Sequence, residues 1–141
     1  MAEETVRSVQ LDRIGVGRFE VHNLRGGSMT IGTGEGTDFT PVELLLAAIG
    51  GCTGIDVDLM TTKRVEPTEF RVEVTGDKIR DEAGTNRMTN LAVTFTVHFP
   101  DGDAGDLARE RLPKAVRMSH DRICTVSRTV ELGTPISTTT G

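Results

Sequence analysis

The chain has no tryptophan and no tyrosine, and its aromatic content is five phenylalanines. That excludes tyrosine acid chemistry and stacking platforms built on indole or phenol rings. Basic runs are also missing. The longest is Lys63-Arg64 in a chain of formal charge -5, so no nucleic-acid partner is expected. The N-terminal MAEETVRSVQ lacks the apolar stretch of a secretory signal, and the expected location is the cytoplasm. There is no CxxC pair and no Cys/His cluster with zinc spacing, so neither a metal nor a cofactor is expected. Only two cysteines occur, Cys52 and Cys124. In a reducing compartment such a pair is free, catalytic or redox-active rather than a structural staple. No internal repeat is present. Residues 1–141 are read as one domain, with a short low-complexity tail at Ser137–Gly141.

The chain is organised around Thr40–Lys63, TPVELLLAAIGGCTGIDVDLMTTK, its longest apolar run. Thr40 suits an N-cap, Pro41 the first helical position, and Glu43 stands three residues after the cap, which is the pattern of a capping box. Val42, Leu44, Leu45, Leu46, Ala47, Ala48 and Ile49 then cover the helix all round, which predicts a buried helix. Those seven apolar residues, interrupted by Glu43 and ended by glycines, are too few to span a bilayer, so no membrane partner is expected. Gly50-Gly51 is read as an interruption. Cys52, directly after it, is either a small packed hydrophobe or a positioned reactive group.

Around this helix the signals are mostly β. Residues 5–10 and 17–24 carry short strand patterns with Gly15 and Gly17 between them, and Ser28–Ile31 is a third. The glycine-rich stretch Gly32–Phe39 lacks the lysine and the spacing of a phosphate cradle and is expected to be a flexible loop. Phe70, Val72 and Val74 alternate with polar residues, as do Leu91, Val93, Phe95, Val97 and Phe99 after the turn Asp81–Asn86. That predicts a long hairpin, with His98 solvated on its polar face. A second helix is expected from Leu107 to Met118, kinked or divided by Pro113. Thr125–Leu132 is a helical turn or a strand start, and Ile136–Thr138 a short last strand. The order is α+β with largely antiparallel strands.

For the cysteines to carry chemistry, one thiol must ionise near neutral pH, which a positive neighbour promotes. His120, Arg122 and Arg128 lie near Cys124, and His120 shares its face if that segment is helical. A Cys–His acyl or thiol transferase using His120 is therefore one reading. Glu43 is nine residues before Cys52, on the opposite face of a straight helix, so its capping role accounts for it.

Together, PVELLLAAIGGCTGID and HDRICTVSRTV resemble the OsmC/Ohr family, small bacterial proteins best known as thiol-dependent peroxidases of organic hydroperoxides. The resemblance is carried by Pro41–Asp56 and Cys124–Thr129. It implies an OsmC-like fold with antiparallel sheets around a buried central helix, in an intertwined homodimer with active sites at the subunit interface. By position it makes Cys52 the peroxidatic and Cys124 the resolving cysteine. They would cycle through a Cys52–Cys124 disulfide that an external thiol or dithiol reduces, in defence against oxidative stress. The family also implies an arginine holding the thiolate and a glutamate orienting it. Glu43, Arg18 and Arg25 are the candidates here, although Val42 rather than a glutamate directly follows Pro41, and Thr125 stands where a proline commonly follows the second cysteine. These departures motivate the alternative, a non-catalytic module of the same fold that binds a hydrophobic ligand at the dimer interface.

Overall fold

The structure, a computed structural model, describes residues 5–141. The sequence suggests one domain, and the described residues pack as two compact units that divide after Leu45.

The first unit is a three-stranded antiparallel sheet, β1 (Gln10–Gly15), β2 (Arg18–His22) and β3 (Ser28–Ile31), in sequence order. Gly15 pairs with Arg18 around the two-residue turn Val16-Gly17, and Gly17 holds the φ of 66° that favours glycine. β1 begins where the expected first strand ends. Gln10 stands opposite His22, so residues 5–9 run past the end of β2 and form no strand. Between β2 and β3 the Asn23 carboxamide oxygen accepts the N–H groups of Arg25 (3.0 Å) and Gly27 (2.9 Å). The loop Gly32–Phe39 is tied down rather than free. Gly32 N–H donates to Phe39 O at 3.0 Å, and Arg18 pairs with Asp38 at 3.1 Å.

The capping box forms as the sequence dictates. Glu43 N–H donates to Thr40 Oγ1 (3.2 Å), and Thr40 N–H donates to Glu43 Oε1 (2.9 Å). They open α1 (Pro41–Thr61), which continues through Gly50-Gly51 without a break. Gly50 and, one turn on, Gly54 serve packing. A Cβ on Gly50 would stand 2.7 Å from Val74 Cγ2, and one on Gly54 3.2 Å from Val72 Cγ2. The helix therefore reaches the strand only because both residues lack a side chain. The expectation of burial on every side is corrected. Ile49, Gly50, Thr53, Gly54, Val57 and Thr61 are buried, whereas Ala47, Gly51, Ile55 and Leu59 are exposed in the single chain. By length and composition alone α1 is also long enough to cross a bilayer, because it does not stop at the glycines. Asp56 and Asp58 lie within it, and one face packs on a strand.

In the second unit β4 (Glu69–Arg80) and β5 (Asn86–His98) form the long hairpin, from Glu69 opposite His98 to Arg80 opposite Asn86. Phe70, Val72 and Val74 face Val97, Phe95 and Val93, and the Phe70 and Phe95 rings meet edge to face at 6.4 Å. A bulge falls between Thr75 and Asp77. The Asp81 carboxylate closes the turn by accepting from Thr85 N–H (3.0 Å) and Oγ1 (2.6 Å), bonds that hold its carboxyl below the ordinary range. His98 is exposed, as expected, and pairs with Glu69 at 3.0 Å.

α2 (Asp103–Met118) stays one helix despite Pro113. The proline lies on the exposed side, where water can satisfy the carbonyl it strands. A π-helical turn, Ser119–Ile123, follows, closed by Cys124 N–H to Ser119 O at 2.8 Å. Cys124 is extended (φ -68°, ψ 101°) and caps α3 (Thr125–Leu132), which ends on Gly133 at φ 64°. Thr125–Leu132 is thus helical, and Ile136–Thr138 forms no strand. Ile136 has no apolar face to pair with and is 91% exposed.

Candidate active site

Two elements of the second unit build the site. On α1, Cys52 and Asp56 are four residues apart and share a face. The other element is the junction of the π turn with α3, which carries Ser119, Cys124, Val126 and Ser127. The sulfurs of Cys52 and Cys124 and a carboxylate oxygen of Asp56 all lie within 4.8 Å of one another. Thus two cysteines 72 positions apart in sequence meet, as unbonded thiols. They are not equivalent: Cys124 is fully buried and Cys52 is half-buried.

The first turn of α3 faces both sulfurs. Ser127 N–H donates to Cys124 Sγ at 3.4 Å, and Cys124 Sγ–H donates to Ser127 Oγ at 3.2 Å. The Val126 amide hydrogen-bonds the Cys52 sulfur and pulls its pKa down. Burial acts the other way and is stronger. With the added repulsion of Cys124 and Asp56, it leaves the Cys52 thiol above its ordinary value.

Asp56 is itself held in place. Ser119 Oγ, fully buried, donates to Asp56 Oδ2 at 2.8 Å and lies 2.7 Å from the buried Thr53 Oγ1. With the Ser119 proton committed to the carboxylate, Thr53 is the donor to Ser119. Two thiols and a carboxylate at this spacing can exchange protons and form a disulfide. They are also three donors of types that zinc accepts.

The other expected site residues have these partners. Because Ser119–Ile123 is a π turn and Cys124 is extended, His120 and Cys124 do not share an α-helical face. The exposed His120 ring bonds Asp121 at 2.9 Å through Nδ1 and Glu131 at 3.2 Å through Nε2, so neither nitrogen serves a sulfur. Those carboxylates raise its pKa. This removes the Cys–His transferase reading. Arg122 and Arg128 are exposed, and the groups that act on Cys52 are Val126, Cys124 and Asp56. In the first unit, Arg18 is bound to Asp38, Arg25 lies exposed in the β2–β3 turn, and Glu43 is engaged in the capping box. Sequence reasoning gave no chemical part to Asp56, although its position one turn after Cys52 was legible. Nothing in the sequence marked Ser119, a buried polar residue among charged ones.

A family model described as OsmC-like protein matches residues 33–139. The chain belongs to the OsmC-like family. An uncharacterized protein of Mycobacterium tuberculosis is 29% identical to this OsmC-like protein over 130 residues, 90% of each chain. Among solved structures, a hypothetical protein from Aquifex aeolicus superposes with a TM-score of 0.72 at 22% identity, over 93% of this chain and 91% of the other. The organic hydroperoxide resistance protein OhrB of Bacillus subtilis does so with a TM-score of 0.56 at 20% identity, over 89% and 90%. At those identities the structural likenesses establish the fold, the α+β OsmC-like arrangement of antiparallel sheets and helices.

Proposed function

We propose that this OsmC-like protein is a thiol peroxidase that reduces organic hydroperoxides. The observation that carries the proposal is the meeting of the Cys52 and Cys124 sulfurs from distant parts of the chain. The Cys52 thiolate attacks the terminal peroxide oxygen and the O–O bond breaks. The departing alkoxide takes a proton and leaves as an alcohol, and Cys52 becomes a sulfenic acid. Cys124 then displaces the hydroxyl, forming the disulfide and releasing water, and an external dithiol reduces that bond. The half-buried Cys52 is the sulfur a substrate reaches, and the buried Cys124 is the one that resolves.

The working form is a homodimer in this reading. Residues of α1 from Leu46 to Ile55, with Phe70, Val72 and Val74 of β4 and the carboxylate Asp58 at one end, line an open, mostly apolar groove of about 640 Å³, which a second copy would cover. The groove also favours the alternative of a hydrophobic-ligand module, since neither cysteine lines it. Intact mass and peptide mapping after one equivalent of cumene hydroperoxide separate the two. Peroxidase activity gives a rapid Cys52–Cys124 disulfide in the wild type and a trapped sulfenic acid on Cys52 in Cys124→Ser. Two unchanged thiols after minutes would reject it in favour of the binding module.

A further inference from the structure

We infer that Asp56 is the proton-transfer group of the resolving step. The inference rests on the disulfide cycle proposed above and assigns it a residue. Resolution has a proton problem at each end. The Cys124 thiol must lose a proton to attack, and the hydroxyl leaving Cys52 must gain one to depart as water. An acid–base group within reach of both sulfurs solves both with a single proton. Asp56 is placed for that, since its carboxylate and both sulfurs lie within 4.8 Å of one another. The atoms balance. Cys124 S–H passes its proton to the carboxylate, the S–S bond forms as the S–O bond of Cys52 breaks, and the carboxylic acid returns the proton to the departing hydroxide. The acid is never long-lived, so the low basicity of a carboxylate does not block the relay.

Two features separate this role from packing. Placing a half-buried carboxylate beside two thiols raises the energy of either thiolate, so a merely structural acid would be a poor choice here. The carboxylate is also aimed by a buried chain, Thr53 to Ser119 (2.7 Å) to Asp56 (2.8 Å), that joins α1 to the π turn preceding Cys124. The same turn therefore sets both the acid and the resolving sulfur. Ser119, acting through Asp56, is a positioning residue.

The test uses Asp56→Asn, which keeps an oxygen to accept from Ser119 and loses the basic site. Reduced protein takes one equivalent of cumene hydroperoxide, and dimedone traps sulfenic acid over time. The variant should oxidise Cys52 faster, because a repelling charge is gone, yet close the disulfide at least tenfold more slowly and accumulate sulfenic acid. A second assay needs no peroxide. The half-buried Cys52 is loaded with thionitrobenzoate, and its release by Cys124 is followed by absorbance. Loss of a negative charge alone would remove a repulsion from the attacking thiolate and speed that release, so slow release in Asp56→Asn identifies a missing base. Release at the wild-type rate or faster overturns the inference, even where hydroperoxide closes the wild-type disulfide. Slow release in the variant, with wild-type thiols inert to hydroperoxide, supports Asp56 while the peroxidase reading falls. Matched thermal melts exclude misfolding as the cause.

Discussion

Gly50 and Gly51 are neighbours of identical chemistry, about 100° apart around α1, and their surroundings differ. A Cβ on Gly50 would press on Val74, whereas a Cβ on Gly51 would meet nothing within 4 Å. The same division runs along the helix. Gly50, Thr53, Gly54 and Val57 form an inner face buried in the single chain, and Ala47, Gly51, Ile55 and Leu59 form an outer face open to solvent. Cys52 and Asp56 are half-buried, on the border between the two. One helix thus presents a packing face, a solvent-exposed face, and an edge that carries Cys52 and Asp56. The difference teaches that an apolar sequence on all sides need not mean a helix buried on all sides within one chain.

The largest effect should come from breaking the inner face. Gly50→Leu drives a branched side chain into Val74 and should lower the unfolding free energy by about 3 kcal/mol, read from urea melts. Gly51→Ala is the paired control. It adds helix propensity without a clash and should stabilise by about 0.5–1 kcal/mol. Equal losses at the two positions would erase the distinction between the faces. Gly51→Arg then probes the outer face. It should leave the fold intact and, if the proposed homodimer forms in the wild type, shift sedimentation to monomer, whereas an unchanged dimer would mean that association uses another surface.

Ser119→Ala comes next, because it acts across the inner face. It removes the buried donor to Asp56 and leaves Thr53 without its partner. A loss of about 2 kcal/mol is expected, since buried polar groups deprived of a hydrogen bond cost about 1–3 kcal/mol each. A melt within a few tenths of wild type would mean that water replaces the hydroxyl.

The parts of this arrangement were unequally legible in the sequence. The capping box of Thr40 and Glu43 and the β4–β5 hairpin depend on local spacing, and both could be read directly. The junction around Cys124 could not. A π turn has the same composition as an α-helical one, so the His120–Cys124 spacing suggested a shared face that does not form. Gly50-Gly51 was ambiguous for a related reason. Glycine in a helix weakens it in isolation, and only the approach of Val72 and Val74 shows that Gly50, unlike Gly51, is there for contact. The pairing of Cys52 with Cys124 came from resemblance to a family. Asp56 entered the site only when Ser119 and the two sulfurs were seen around it.

The Cys52 edge gives a pH signature. Burial first, and then the repulsion of Cys124 and Asp56, keeps the Cys52 thiol above its ordinary value, against the pull of the Val126 amide. In the reduced protein the thiolate fraction is therefore small at neutral pH. Alkylation of Cys52 by iodoacetamide should climb as pH rises past the ordinary thiol range, with a midpoint above that of a model thiol. A plateau already reached at pH 7 would show that a cation reaches the sulfur. In Asp56→Asn the curve should move toward lower pH, because one of the repelling charges is gone.

The smallest effect belongs to His120, between the π turn and α3. Its ring joins Asp121 in the π turn to Glu131 in α3, and the Asp121 hydrogen bond, then the Glu131 charge, raise its pKa. A histidine whose folded value exceeds its unfolded one stabilises most below the unfolded value of about 6.5, and loses that contribution as pH rises through the folded value. The ring is mostly exposed and solvent screens the pair. His120→Ala should therefore cost less than about 0.5 kcal/mol at pH 5.5 and nothing measurable at pH 9. The rate of Cys52–Cys124 disulfide closure should not change, because neither ring nitrogen bonds a sulfur. A slower closure in His120→Ala at pH 7 would show that the π turn needs this clamp to hold Cys124 in line, and would extend the Cys52 edge of α1 to the far side of α3.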